Sequence, residues 1–185
     1  MGPLSLGLLA VGLAMDAFSV SVCNGMTMHK IEVDLALRMA AFFGGFQMLM
    51  PLLGWLGGLG LIDLIAGFDH WVAFGLLALI GGKMVHESTQ GENCERVMNA
   101  RKLAVLFMLA IATSIDALAV GLSLAALKVA ITTPILVIGA VTFCLSLVGT
   151  ALGRRFGYLL QNKAELLGGL ILIGIGLKIV VEHLV

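Results

Sequence analysis

Hydrophobic positions run together in six long blocks along this chain and do not alternate with polar ones. Each block is close to the roughly 20 residues that an α-helix needs to cross a bilayer. Strands of a membrane barrel would be shorter and of alternating character. The pattern predicts an all-α membrane protein with six transmembrane helices, near residues 4–24, 39–60, 70–87, 103–127, 134–153 and 164–184.

Composition supports this prediction and excludes other classes. The 185 residues are 60% hydrophobic and 12% charged, whereas soluble domains carry about 25% charged residues. The formal net charge is zero, so nothing indicates a basic surface for nucleic acid. The composition therefore predicts an integral membrane protein.

The basic residues lie mostly in alternate links between the predicted spans. The link after span two has none, the link after span four has only Lys128, and the N-terminal tail has none. By the positive-inside rule, both termini face outside and the richer links face the cytoplasm. The links after spans one, three and five carry Lys30, Arg38, Arg96, Arg101, Lys102, Arg154, Arg155 and Lys163.

The two halves of the chain resemble each other. We predict a first three-helix repeat at 1–87, a cytoplasmic linker at 88–102 and a second three-helix repeat at 103–185. Three helices are an odd number, so the second copy must enter the membrane from the opposite face, which makes the repeats inverted. The matches are Asp16 with Asp116 at an offset of 100, and Gly54, Gly58, Lys83 and Glu87 with Gly149, Gly153, Lys178 and Glu182 at an offset of 95.

The aspartates of this repeat interrupt otherwise apolar spans. A charged side chain at the centre of a membrane helix costs about 2.5–3.5 kcal/mol on insertion scales, so it normally faces the protein interior. Asp16 lies about twelve residues from the outer end of span one, and Asp116 about thirteen from the inner end of span four, which places both near mid-depth. We expect one shared site between the repeats.

Oxygen-bearing side chains accompany the two aspartates. Such oxygens suit hard cations, namely Mg²⁺, Ca²⁺ and Mn²⁺, and the only nearby Cys or His is Cys23. The open alternative is that the aspartates merely join helices. Lys83 and Lys178 are assigned either to helix ends or to a gate. The predicted metal ligands are Asp16, Asp116, Ser19, Gln47, Thr113, Ser114 and Thr142.

Four motifs resemble the bacterial MntP-type manganese efflux pumps, within the superfamily of lysine-exporter-like carriers. The resemblance implies a six-helix exporter of the inner membrane that lowers cytoplasmic Mn²⁺, and its functional acids carry over onto Asp16 and Asp116. Some relatives carry Glu where this chain has Gln47, which leaves metal selectivity open. The motifs are Ala14–Phe18, Gly81–Met84, Ala112–Ala117 and the glycines Gly168, Gly169, Gly174 and Gly176.

Three hypotheses follow from this sequence. The first is a secondary active Mn²⁺ exporter with a proton as candidate counter-ion, because no ATPase motif is present. The second keeps transport but moves another divalent cation or a cationic amino acid. The third is a membrane assembly protein that transports nothing. An enzyme is not expected, since no nucleophile stands beside a base at mid-depth, and no cofactor is implied.

Overall fold

A computed structural model of the chain describes residues 2–28, 32–59, 74–75, 77–80, 82, 85–86 and 102–184. The described part of the chain is all helical. Its helices are α1 (Pro3–Thr27), α2 (Val33–Leu59), α3 (Leu103–Ala112), α4 (Ile115–Ala126) and α5 (Thr132–Leu184). Predicted span three is described only at residues 74–75, 77–80, 82 and 85–86, and of the predicted linker at 88–102 only residue 102 is described.

Four stretches are long and apolar enough to cross a membrane, which makes this a multi-pass membrane protein: Pro3–Met26, Val33–Leu59, Leu103–Ala126 and Thr132–Arg155. In α1, 72% of the most apolar window is buried, against 33–39% in the other three. Helix α1 is therefore the most enclosed of the four. The others expose large apolar side chains of the kind that suits contact with lipid, among them Leu53, Leu56, Leu118 and Leu136.

Helix α2 begins earlier than predicted. The sequence placed Asp34 and Arg38 in a link before residue 39, but both lie in the first turns of α2. Their side chains are exposed and joined by an i,i+4 salt bridge of 2.8 Å, a pairing that supports a helix by about 0.2–0.5 kcal/mol. Charged residues at this end are compatible with a helix because they can reach water.

Predicted span four is not one continuous helix. It is divided into α3 and α4 by a turn at Thr113 and Ser114. The Ser114 hydroxyl donates to the Ala110 carbonyl at 2.7 Å, while the Ser114 N–H bonds to the Ile111 carbonyl at 3.0 Å. Hydroxyl side chains that bond to preceding carbonyls compete with the helical backbone, which accounts for the break that the apolar pattern did not reveal.

Two parts of α5 contact α1 at points that one straight helix could not reach together. A Cβ atom at Gly149 would lie 2.9 Å from the Phe18 carbonyl oxygen, and one at Gly153 would overlap Val22, so this part of α5 runs parallel to α1. Gly12, however, lies against Ile171. A straight helix would carry residue 171 about 27 Å beyond Gly153 and away from Gly12. These contacts require the chain to reverse between residues 153 and 171, so we distinguish a first arm of α5 over predicted span five (134–153) from a second arm over predicted span six (164–184).

Glycines let the helices approach closely at two interfaces. Gly54 and Gly58 of α2 lie against α4 at Leu118 and Leu122. Gly149 and Gly153 of α5 lie against α1 in the same way. Small residues at such spacing allow close packing of membrane helices, so the glycine spacing seen in the sequence does mark helix contacts.

A third close contact joins α2 to the first arm of α5. A Cβ atom at Gly44 would lie 3.0 Å from the Gly139 carbonyl oxygen and 3.1 Å from Phe143 Cβ. A Cβ atom at Gly139 would meet the side chain of Met48. Residue 44 thus contacts residue 143 while residue 48 contacts residue 139, so the two helices run antiparallel here.

Candidate cation site

The side chain of Gln47 lies between the two halves of the chain. Its Nε2 donates to the Leu13 carbonyl of α1 at 2.9 Å and to the Thr113 carbonyl at the break between α3 and α4 at 3.3 Å. Leu13 precedes Asp16 by three residues, and Thr113 precedes Asp116 by three. One amide group therefore joins the turns that lead into both aspartates.

The two aspartates have different backbone settings. Asp16 lies within the continuous helix α1, whereas Asp116 occupies the first turn of α4. The N-terminus of a helix carries partial positive charge, which stabilises a carboxylate there. Both residues are half-buried, and the Oδ2 atom of Asp116 is shielded from solvent.

Three side-chain oxygens in this region are buried and have no hydrogen-bond partner among the described residues, namely Gln47 Oε1, Thr142 Oγ1 and Ser146 Oγ. Buried polar atoms are nearly always paired with protein or water, so each of these needs a partner. Because Pro51 has no N–H, the backbone carbonyl of Gln47 also lacks the helical bond from that residue. Pro51 lies inside α2, which continues through it from Val33 to Leu59.

The remaining predicted ligands are also buried. Ser19 is 1% exposed, and Thr142 and Ser114 are fully buried. The Thr113 hydroxyl donates to the carbonyls of Leu109 and Ala110, at 3.0 and 3.3 Å, so that its oxygen lone pairs face away from those bonds. Gly44 of α2 and Gly139 of α5 contact each other. Gln47 lies three residues after Gly44, and Thr142 lies three residues after Gly139, so the two polar residues have equivalent positions at this helix crossing.

The structure thus brings Gln47 together with Thr113 and with the helix turn before Asp16. Ser19 and Thr142 lie buried on α1 and α5. Sequence reasoning passed over Ser146, although it stands one helical turn after Thr142. Cys23 is buried and disulfide-bonded, so it offers no thiolate. Within the described residues, no three His, Cys, Asp or Glu side chains are grouped to hold a metal.

Comparison with known proteins assigns the family. A family profile described as "Mntp: Putative manganese efflux pump" matches residues 30–180. The chain belongs to this family. The family is one of transporters and not of enzymes, in agreement with the sequence prediction.

Full-length relatives support the same assignment. Proteins named "Putative manganese efflux pump MntP" are 52% identical in Methanosarcina mazei and 51% identical in Rippkaea orientalis, each over 96% of this chain and 95% of the relative. A relative of the same name in Clostridium botulinum is 45% identical over 99% of this chain and 96% of its own length. The resemblance inferred from the aspartate motifs is thereby confirmed. No solved structure matches the chain.

Proposed function

We propose that this protein is a secondary active exporter of Mn²⁺ in the bacterial inner membrane, with its transport site between Asp16 and Asp116. The observation that carries the proposal is the Gln47 amide, which links the turns before both aspartates. The relatives, named as manganese efflux pumps over nearly their full length, supply the ion and the direction.

We also propose that the chain is built as two inverted three-helix repeats, 1–87 and 103–185, joined by a cytoplasmic linker at 88–102. The support lies in contacts that recur under the sequence offsets of 95 and 100. Gly54 meets Leu118 as Gly149 meets Phe18, and the Gly44–Phe143 contact is matched by the Gly139–Met48 contact. Such reciprocal, antiparallel contacts are expected around a two-fold axis in the membrane plane.

The ligand chemistry suits a hard divalent cation. Two carboxylates would neutralise its charge, and neutral oxygens from Gln47, Thr142, Ser19, Thr113 and Ser114 would complete its shell. The unpartnered Oε1 of Gln47 and Oγ1 of Thr142 are the strongest neutral candidates, because a bound cation would satisfy them.

The carboxylates also offer a means of coupling. Two like charges in a region of low dielectric cannot both remain ionised without a cation, so protons would replace the departing metal. Exchange of Mn²⁺ for protons then needs no further cofactor. In this scheme both termini lie outside the cell, as the distribution of Lys and Arg favours.

The test is Mn²⁺ flux in proteoliposomes, with and without a pH gradient. Asp16→Asn combined with Asp116→Asn removes both charges, and we expect flux to fall about 100-fold or more, since even second-shell partners of metals contribute 10–100-fold. Asp34→Asn is the matched control, because its carboxylate is 78% exposed in a surface ion pair. Wild-type flux in the double variant would refute this site.

Substrate competition separates the related possibilities. Inhibition of Mn²⁺ flux by lysine, Mg²⁺ or Ca²⁺ would identify a broader cation carrier. Absence of any solute movement, combined with poor yield of the Asn variants, would indicate that the aspartates only join helices.

A further inference from the structure

The interface between α1 and the first arm of α5 carries hydroxyl groups that the site alone does not explain. Thr142, Ser146, Gly149 and Gly153 recur at spacings of four, three and four residues, so they share one helix face. Gly149 and Gly153 pack against α1, and a Cβ atom at Gly149 would lie 3.1 Å from Ser21 Cβ. That shared face is therefore turned towards α1.

Two of these hydroxyls behave differently from others in the described helices. Ser21, Ser114, Ser123 and Thr150 each donate to the carbonyl four residues earlier, at 2.7–3.0 Å. Thr142 and Ser146 are fully buried, and neither has a hydrogen-bond partner among the described residues. A buried hydroxyl that does not bond to a carbonyl of its own helix needs another hydrogen-bond partner, and water or a transported cation can provide one.

The equivalent positions of α2 and α4 carry no hydroxyl, although Thr142 corresponds to another polar residue, Gln47. At an offset of 95, Ser146 and Thr150 correspond to Pro51 and Trp55, and at an offset of 100 Ser21 corresponds to Gly121. Gly121 lies directly against Pro51, and the Trp55 indole donates to the Val129 carbonyl at 3.1 Å. The α1–α5 interface thus carries hydroxyls at three positions where the α2–α4 interface has Pro51, Trp55 and Gly121, although the helix backbones approach closely at both interfaces.

We propose that Thr142, Ser146, Thr150 and Ser21 line a hydrated path for the divalent cation, from the membrane face where α1 ends to the site at mid-depth. The α2–α4 interface is the dry seal on the opposite side. The path ends near exposed Arg154, on the face that the positive-inside rule assigns to the cytoplasm. This inference rests on the proposed export of Mn²⁺, for which the ion must enter from that face.

Cysteine labelling tests the path without requiring transport. In a background lacking Cys23, Cys94 and Cys144 that retains Mn²⁺ flux, Ser146→Cys is compared with Pro51→Cys, its equivalent in the other interface. A cationic methanethiosulfonate reagent is added to inverted vesicles or to right-side-out vesicles. The thiolate is the reacting form and needs water around it.

We expect Ser146→Cys to react on the order of tenfold faster than Pro51→Cys in inverted vesicles, because only the former side chain meets water. Mn²⁺ should slow the reaction, since the ion occupies the same path. Equal rates at the two positions, or faster reaction of Ser146→Cys from the outer face, would overturn the proposal.

Transport provides a second measurement. Ser146→Ala removes the hydroxyl with little change of volume, and we expect the flux of Mn²⁺ to fall about tenfold, the effect of roughly one lost hydrogen bond to a charged species. Ser123→Ala is the control, because its hydroxyl is already bonded to Ala119. Unchanged flux in Ser146→Ala together with slow labelling overturns the path and leaves the aspartate site standing. If Ser146→Cys reacts fast but Mn²⁺ flux is unchanged by Asp16→Asn combined with Asp116→Asn, the export proposal is overturned instead.

Discussion

At the scale of residues, the hydroxyl and amide groups decide how this apolar chain is organised. The Gln47 Nε2 atom satisfies carbonyls on two different helices, and the side chain is fully buried. The hydroxyls of Thr113 and Ser114 turn back onto α3 and so end it. A few polar atoms therefore fix both the break and the junction of the two halves, because in a dry interior each of them must find a partner.

Replacing Gln47 tests this junction. In Gln47→Leu the two carbonyl oxygens lose their shared donor, and we expect a loss of about 1–3 kcal/mol of stability. The measurement is the thermal unfolding temperature in detergent, followed by tryptophan fluorescence. Leu49→Ala, at a lipid-facing position that is 44% exposed, is the control and should shift the temperature much less. Equal shifts in the two variants would show that the Gln47 bonds contribute nothing particular.

At the scale of elements, glycines set how closely the helices approach. Gly54 and Gly149 each lie against the backbone of a partner helix, whereas nothing lies within 4 Å of a Cβ atom built at Gly57. The same residue type therefore has different roles on one helix. Position relative to the partner helix determines whether a side chain can be accepted.

Substitution by alanine separates these roles. In Gly54→Ala the new methyl group meets the Leu118 carbonyl, and we expect a cost of about 1–3 kcal/mol as α2 and α4 move apart. In Gly57→Ala the helix propensity improves by up to about 1 kcal/mol. The yield of monodisperse protein and its unfolding temperature should therefore fall only for Gly54→Ala. A similar loss in Gly57→Ala would contradict the packing account.

At the scale of the whole molecule, reciprocal contacts relate the two halves. The pairs Gly44–Phe143 and Gly139–Met48 exchange roles across one crossing of α2 and α5. Single helices cannot generate such reciprocity, which requires both halves to be folded together. The hydroxyl-lined and apolar interfaces show that the two halves have nonetheless diverged in chemistry.

The proposed orientation places the C-terminal end of the first arm of α5 at the cytoplasmic face of the membrane and its N-terminal end at the outer face. In the cysteine-free background, Arg155→Cys should react with an impermeant maleimide only from the cytoplasmic face, and Lys128→Cys only from outside. Both native side chains are exposed, and the apolar stretch from Thr132 to Arg155 lies between them. Reaction of both cysteines from one face would contradict the spanning arm, and the opposite pattern would reverse the orientation.

Sequence reasoning recovered the class of protein and the family. These depend on local features, namely apolar block length and the isolation of Asp16 and Asp116 in those blocks. It missed the division of predicted span four. Thr and Ser occur within helices, and the sequence does not reveal that the hydroxyls of Thr113 and Ser114 bond to carbonyls of α3 and end that helix. It also placed the start of α2 about six residues late, since charged side chains at a membrane surface do not end a helix.

The sequence by itself determined that the chain crosses a membrane as helices, because a long apolar segment must satisfy its backbone internally wherever it lies, and that two of these segments each carry an aspartate. Only the tertiary structure decided that one amide joins the turns before those aspartates, and that one of two equivalent interfaces holds two hydroxyls with no hydrogen-bond partner among the described residues. Those features depend on contacts between residues far apart in the chain, for example Gln47 and Thr113. The periodicity of a single helix contains no information about which partner will face each side chain.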